Sequence, residues 1–246
     1  MTMALDIHDC GLADYRSVLQ LQHQLRDARA AGQVPDTILL VEHPPVITLG
    51  ARKTANRLLM DEAELAARGI DVVPIRRGGG TTAHNPGQIV FYPILDLSAR
   101  GLGINPYIRT LEAIGIDLLA QFAVHAERSQ GYPGLWVRAE NLHAGRQHPT
   151  QAPNPSNDPG PPKARNTQYA RRTTQKIASI GVRVSRFITH HGMAINISND
   201  PGLFDLIVPC GLEGVVMTSV LQETGRRPDM ADVKNTLSAI LRAHFA

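Results

Sequence analysis

The sequence predicts an α/β (α+β) protein: one domain over residues 1–246, built on a mixed β-sheet flanked by helices. Three observations carry that expectation. Runs with apolar residues three and four apart alternate along the chain with short aliphatic and β-branched runs, so helices and strands are interspersed throughout. Apolar residues make up 43% of the sequence and aromatics only 4%, so aliphatic side chains must fill the core. A glycine run, Arg77-Gly78-Gly79-Gly80-Thr81-Thr82-Ala83-His84, lies just before the apolar stretch 89–95, which fastens a polar, glycine-lined lip to a buried strand.

Asp14 is placed to cap a helix whose stripe is Val18, Leu21, Leu25 and Ala28, closed by Gly32. Residues 37–41 read as a strand; Glu42-His43-Pro44-Pro45 stops it, because proline cannot donate to a ladder, and residues 46–49 resume extended structure before Gly50. Residues 61–68 form a short helix ending at Gly69, and residues 71–76 a strand that runs into the glycines. Asn105 and Pro106 supply the cap and first turn of a helix buried through Ile108, Leu111, Leu118, Leu119 and Phe122. Residues 135–138, 177–184 and 188–197 are further strands, and Asp229 opens a last helix carrying Val233, Leu237, Ile240 and Leu241. Residues 141–175 are rich in Pro, Asn, Gln, Gly and basic residues and nearly devoid of aliphatics, which predicts a flexible insertion. Its basic end, Lys163, Arg165, Arg171 and Arg172 around Tyr169, reads as a solvated loop rather than a nucleic-acid site.

Composition narrows the function classes. A net charge of +3 suits an acidic partner but is too small to mark a nucleic-acid binder. Cys10 and Cys210 are too few and too far apart for a disulfide framework, and the first 15 residues have neither a basic leader nor an apolar core. No segment is apolar enough to span a bilayer, so a cytoplasmic location without a membrane partner is expected. His43, His84, His190 and His191 do not suggest a metal site: successive strand residues face opposite ways, and no His-Glu-x-x-His spacing occurs. No Walker loop is present, and the glycines at 101 and 103 fail the dinucleotide fingerprint. No metal or cofactor is expected.

Chemistry is expected at Cys210. It lies in Ile207-Val208-Pro209-Cys210-Gly211, where proline stiffens the approach to the thiol and glycine lets the chain turn behind it. Lys176 begins a run of small and apolar residues, Ile177-Ala178-Ser179-Ile180-Gly181, a setting that can hold an ammonium group over a partly dry pocket. A free thiol is only about 3% ionised at neutral pH, and a cation about 4 Å away is worth roughly 1 to 4 kcal/mol to the thiolate.

With these residues in place the chain resembles the lipoyl(octanoyl) transferases, or octanoyl-[acyl-carrier-protein]:protein N-octanoyltransferases, of the biotin and lipoate protein ligase superfamily. The resemblance spans most of the chain. It runs from Glu42-His43-Pro44-Pro45 and Thr48-Leu49-Gly50 through Arg77-Gly78-Gly79, Thr82, His84 and Pro86-Gly87-Gln88 to Lys176-Ile177-Ala178, Gly181, His191-Gly192, Ala194, Asn196 and Pro209-Cys210-Gly211. It implies a ligase-like fold, Cys210 as the acyl-bearing nucleophile and Lys176 as the lysine that favours its thiolate. It also implies an acyl-thioester pocket lined by Arg77, Gly78, Gly79, Gly80, Thr81, Thr82, Ala83 and His84 together with Ser179, Ile180, Gly181, Gly192, Met193 and Ala194. Octanoyl-acyl carrier protein is the implied donor; the lipoyl domains of 2-oxoacid dehydrogenases and the glycine cleavage H protein are the implied acceptors. The chain departs from the family pattern at Gly80, Thr81, Ala83 and Asn85, where a polar residue, an aliphatic one, Tyr and Gly are more usual, and losing the aromatic at Ala83 is expected to widen the pocket or leave room for another side chain. The alternatives are an ATP-dependent lipoate or biotin protein ligase, which does not need Cys210, and a non-catalytic acyl-binding relative.

Overall fold

The computed structural model describes residues 4–138 and 174–245. The expected insertion at 141–175 lies outside the described residues except for Thr174 and Gln175, which already belong to a strand. In chain order the elements are β1 (Leu5–Leu12), α1 (Tyr15–Ala30), β2 (Asp36–Glu42), β3 (Val46–Leu49), α2 (Glu62–Ala67), β4 (Asp71–Pro74), β5 (Thr82–His84), β6 (Gln88–Ile94), α3 (Ile104–Gln121), β7 (Glu127–Ser129), β8 (Tyr132–Arg138), β9 (Thr174–Ser185), β10 (Ile188–Asn196), α4 (Val220–Thr224) and α5 (Met230–Phe245).

Two sheets form where one was expected. The larger has seven strands in the order β1-β2-β6-β10-β9-β8-β7, parallel only at β1–β2. The smaller, β4-β3-β5, carries the end of the glycine lip on its short strand β5. One face of the large sheet packs on α3 and α5 through Phe91, Met193, Ile195, Leu111, Leu118, Leu237 and Leu241, all buried. The other face receives α1, where Val18 packs on Leu39, Val90 and Tyr92. Tyr15 of α1 also packs on Val46, Val73 and Ile75 of the small sheet and its edge, so α1 ties the two sheets together.

Local chemistry explains the helix ends. The Asp14 carboxylate accepts the Ser17 amide at 2.8 Å, and Asp61 accepts that of Glu64 at 2.8 Å. At α3 the cap is Gly103 rather than Asn105, and Tyr107 is the fully buried residue of the first turns while Ile108 is only partly covered. β1, β5, β7 and α4 are additions to the expected elements. Among the described residues no helix is long and apolar enough to cross a membrane.

Candidate active site

Cys210 occupies a one-turn 3-10 helix, Pro209–Gly211, with φ 56° and ψ 15°. This is the left-handed region that favours glycine. Its amide donates to Thr81 O at 2.8 Å, which ties the cysteine turn to the glycine lip. Both are seated on the turn Lys53–Ala55: a Cβ on Gly80 would lie 2.2 Å from Ala55 O, and one on Gly211, itself at φ 70°, 2.7 Å from Ala55 Cβ. Only glycine fits at either position, so three chain segments close on one another there.

Lys176 arrives from β9. Its amide donates to Val216 O at 2.8 Å and its carbonyl accepts Thr218 N–H at 2.9 Å, a short parallel bridge that holds the lysine beside the segment following the cysteine turn. The side chain is buried, with Nζ 3.9 Å from Cys210 Sγ, donating to Pro133 O at 3.1 Å and lying 4.9 Å from the centre of the Trp136 ring. Gly134 at φ 114° leaves room for it, since a Cβ there would sit 3.1 Å from Lys176 Cε and 2.3 Å from Ala178 O. The ammonium group thus has a carbonyl, a sulfur and an aromatic face as its neighbours.

Between the sheets runs a narrow cleft walled by Arg77, Gly79, Thr82, His84, Ser179, Ile180, Gly181, Gly192, Met193, Ala194 and Cys210. It is tight, with only about 30 Å³ accessible to water. Eleven of the sixteen residues read from the sequence as site residues therefore meet here, and Gly78 and Lys176 line a second cavity beside it. That cavity is wider, about 390 Å³, and shares Gly79, Ile180, Gly181 and Cys210 with the cleft, so the thiol sits at the neck between the two. Met193 packs its side chain against Gly115 of α3, on the far face of the sheet.

Gly80, Thr81 and Ala83 do not line the cleft. Gly80 packs on Ala55, and Thr81 Oγ1 accepts the Arg57 amide at 2.9 Å. Ala83 is fully buried in an apolar cluster with Ile47, Leu65 and Phe204, because strand alternation in β5 turns Thr82 and His84 toward the cleft and Ala83 away from it. The expected widening of the pocket at Ala83 therefore does not arise. Conversely, Tyr15, Val90, Tyr92 and His191 line the cleft unforeseen. Only the topology brings α1 and β6 to this point, whereas His191 directly precedes the expected lining residue Gly192 in β10.

Arg77 is the one permanent charge in the cleft wall. Its Nη2 donates to Thr48 Oγ1 at 2.7 Å and Thr48 O at 3.1 Å, Nη1 donates to Gly78 O at 3.1 Å, and Nε is buried with no partner. A Cβ on Gly181 would lie 2.8 Å from Arg77 Cδ, so that glycine makes way for the arginine stem. Burial pushes the Arg77 guanidinium below its ordinary value. Burial also pushes His43 down to about 4 and His84 to about 3, the latter helped by the neighbouring His43, and it raises Tyr15 to about 12. Both imidazoles are neutral at pH 7. His43 Nδ1 therefore donates to Ala13 O at 2.8 Å and Nε2 accepts the Tyr92 hydroxyl at 2.8 Å; His84 Nδ1 donates to Gln88 Oε1 at 2.6 Å.

The rings of His190 and His191 do not take opposite faces as expected. Their centres are 4.9 Å apart because His191 has φ 57°, which breaks the strand alternation. Among the described residues no three His, Cys, Asp or Glu side chains come together as a metal-holding group.

The lipoyl protein ligase A/B catalytic domain family matches residues 14–242. An octanoyltransferase of Chloroflexus aggregans is 38% identical over 242 residues, which is 98% of this chain and 95% of that one. Among solved structures, the bi-partite lipoate protein ligase of Thermoplasma acidophilum superposes with a TM-score of 0.65 at 12% identity, over 99% of this chain and 84% of that one. The biotin protein ligase of Aquifex aeolicus gives 0.51 at 11% identity, over 98% and 69%. The last two likenesses are of fold, whereas the first is one of sequence over almost the whole length. The chain belongs to the lipoyl protein ligase A/B catalytic domain family and, within it, to the octanoyltransferases.

Proposed function

We propose that this chain is an acyltransferase that carries an octanoyl group from octanoyl-acyl carrier protein to the lysine of a lipoyl domain through a thioester on Cys210. The observation that carries the mechanism is the buried Lys176 Nζ 3.9 Å from Cys210 Sγ, since an ammonium there favours negative charge on sulfur over the neutral thiol. The thiolate attacks the donor thioester, forming the Cys210 S–acyl bond and breaking the bond to the pantetheine sulfur. The departing thiolate takes a proton from Lys176. In the second half the acceptor amine attacks the acyl carbon, gives its proton to the now neutral Lys176 and expels the Cys210 thiolate, which restores the starting pair. Amide replaces thioester, so the transfer runs downhill without ATP.

The amides of Gly79 and Gly80 have no acceptor among the described residues, whereas those of Gly78, Cys210 and Gly211 are committed to Val182 O, Thr81 O and Val208 O. Gly79, which lines both cavities beside Cys210, is therefore a donor available to the tetrahedral oxyanion. The acyl chain lies in the cleft beside Cys210. The acceptors are the lipoyl domains of 2-oxoacid dehydrogenases and the glycine cleavage H protein, and the chain works in the cytoplasm as one catalytic domain. Kinship favours transfer over ATP-dependent ligation, since the octanoyltransferase is 38% identical and the ligase of known structure 12%.

The test is intact mass after brief incubation with octanoyl-acyl carrier protein. The wild type should gain one octanoyl group that hydroxylamine removes, and Cys210→Ser should gain none. An unmodified wild type that is octanoylated or active only with octanoate and ATP would establish a ligase instead. Tight donor binding with no adduct and no transfer would establish an acyl-binding protein.

A further inference from the structure

The wider cavity does not end at the reaction centre. Through Ile108, Gly131, Tyr132 and Pro133 it continues into a third cavity of about 350 Å³, which reaches Arg109 and Glu112. The two together form a trench along the first turns of α3; Ile104 and Glu112, on its near and far parts, are about 12 Å apart along the helix axis. One wall is apolar and open among the described residues, as Ile104 is 53% exposed, and the facing wall is the turn at residues 131–133.

The far end carries surplus charge. Glu112 is buried, and its Oε2 accepts from Arg109 Nη1 at 2.7 Å and from Arg128 Nε at 3.1 Å. One guanidinium suffices to compensate a buried carboxylate, so two leave a net positive charge. Both arginines keep much of their surface in solvent, 59% and 41% of their side chains; Arg128 Nη2 also donates to Arg109 O at 3.3 Å, and among the described residues outward donors remain on both to take another anion.

We infer that this trench seats the pantetheine arm of the acyl donor and that Arg109 and Arg128 hold the arm's phosphate. The inference rests on the proposed octanoyl transfer. Such an arm is a long, narrow chain with a thiol at one end, amides along its length and a phosphodiester at the other. The trench offers these features in the same order: the thiol of Cys210, an apolar wall facing a backbone turn, and a cationic end. The acceptor lysine has a much shorter arm and needs only the near cavity, so phosphate recognition belongs to the first half of the reaction alone.

The test uses two minimal donors, octanoyl-phosphopantetheine and octanoyl-pantetheine, which differ only in the phosphate. The wild type should have a KM roughly ten-fold lower for the phosphorylated donor, the worth of one charge-assisted contact. Arg109→Ala leaves Glu112 paired to Arg128. It should raise KM for octanoyl-phosphopantetheine to near that for octanoyl-pantetheine, without changing kcat or the KM of the unphosphorylated donor. Arg109→Lys, which keeps the charge, should recover part of the difference. The inference is overturned if the wild type does not distinguish the donors, or if Arg109→Ala weakens both equally. Failure of either donor to acylate wild-type Cys210 would instead count against octanoyl transfer itself.

Discussion

Replacing Lys176 by Met keeps a long flexible stem in a buried site and removes only the cation. At 3.9 Å a unit charge is worth about 1 kcal/mol to a thiolate at the screening of water and about 4 kcal/mol at the effective screening of a protein site. The lysine is buried and the cysteine half-buried, so the true value lies between these limits. As a barrier difference, that range corresponds to a loss of roughly five-fold to a thousand-fold in the rate at which the Cys210 sulfur reacts. The assay is the rate of alkylation by iodoacetamide at pH 7, read by mass in a Cys10→Ser background so that one thiol remains. The Lys176→Met rate should be lower than the parent rate by a factor within that range. A rate within two-fold of the parent at pH 7 would refute the assignment of Lys176 as the activating cation and leave it a packing residue.

Acid should destabilise the fold through the imidazoles beneath the cleft. His43 and His84 are neutral when folded, held at about 4 and about 3, and have an ordinary value near 6.5 when unfolded. The unfolded chain therefore binds more protons once the pH drops below about 6.5, and stability present above that value is lost as the pH falls toward the folded values. By pH 5 the loss is about 2 kcal/mol for each histidine, seen as a lower urea midpoint than at pH 7, and an unchanged midpoint would contradict their burial as neutral groups. Ala83→Leu should cost about 1–3 kcal/mol by overpacking the cluster around Leu65 and Phe204, while the ratio of octanoyl to decanoyl transfer stays constant. A shift in that ratio would place Ala83 back in the acyl pocket.

Much of the fold was legible because its signals are local. Asp14 and Asp61 cap as their residue types foretell, Pro44 and Pro45 end β2, and the aliphatic runs at β6 and β10 become the central strands. β1 was missed because Asp6, His8 and Asp9 give an edge strand no continuous apolar run, and β5 because three residues are too few to show a period. That second omission had a cost: without the alternation of β5, Ala83 was counted with Thr82 and His84. Cys210 and Lys176 stood out by their flanking residues and by the family resemblance, but their approach was not legible. It depends on the bridge between Lys176 and Met217 and on the bond from Cys210 N–H to Thr81 O, contacts between segments far apart in sequence. The left-handed turn at His191 likewise has no signal in its residue type.

The backbone at Cys210 sets stability against activity at a single residue. Glycine enters its conformation freely, whereas a residue with a Cβ enters it at a cost of roughly 1–2 kcal/mol, so on the proposed mechanism Cys210→Gly should yield a sturdier protein that transfers no octanoyl group. A mutant library sorted only for thermal tolerance would therefore enrich inactive chains at this codon. On the proposed mechanism, a stabilised variant for practical use has to find its gains elsewhere and leave this turn untouched.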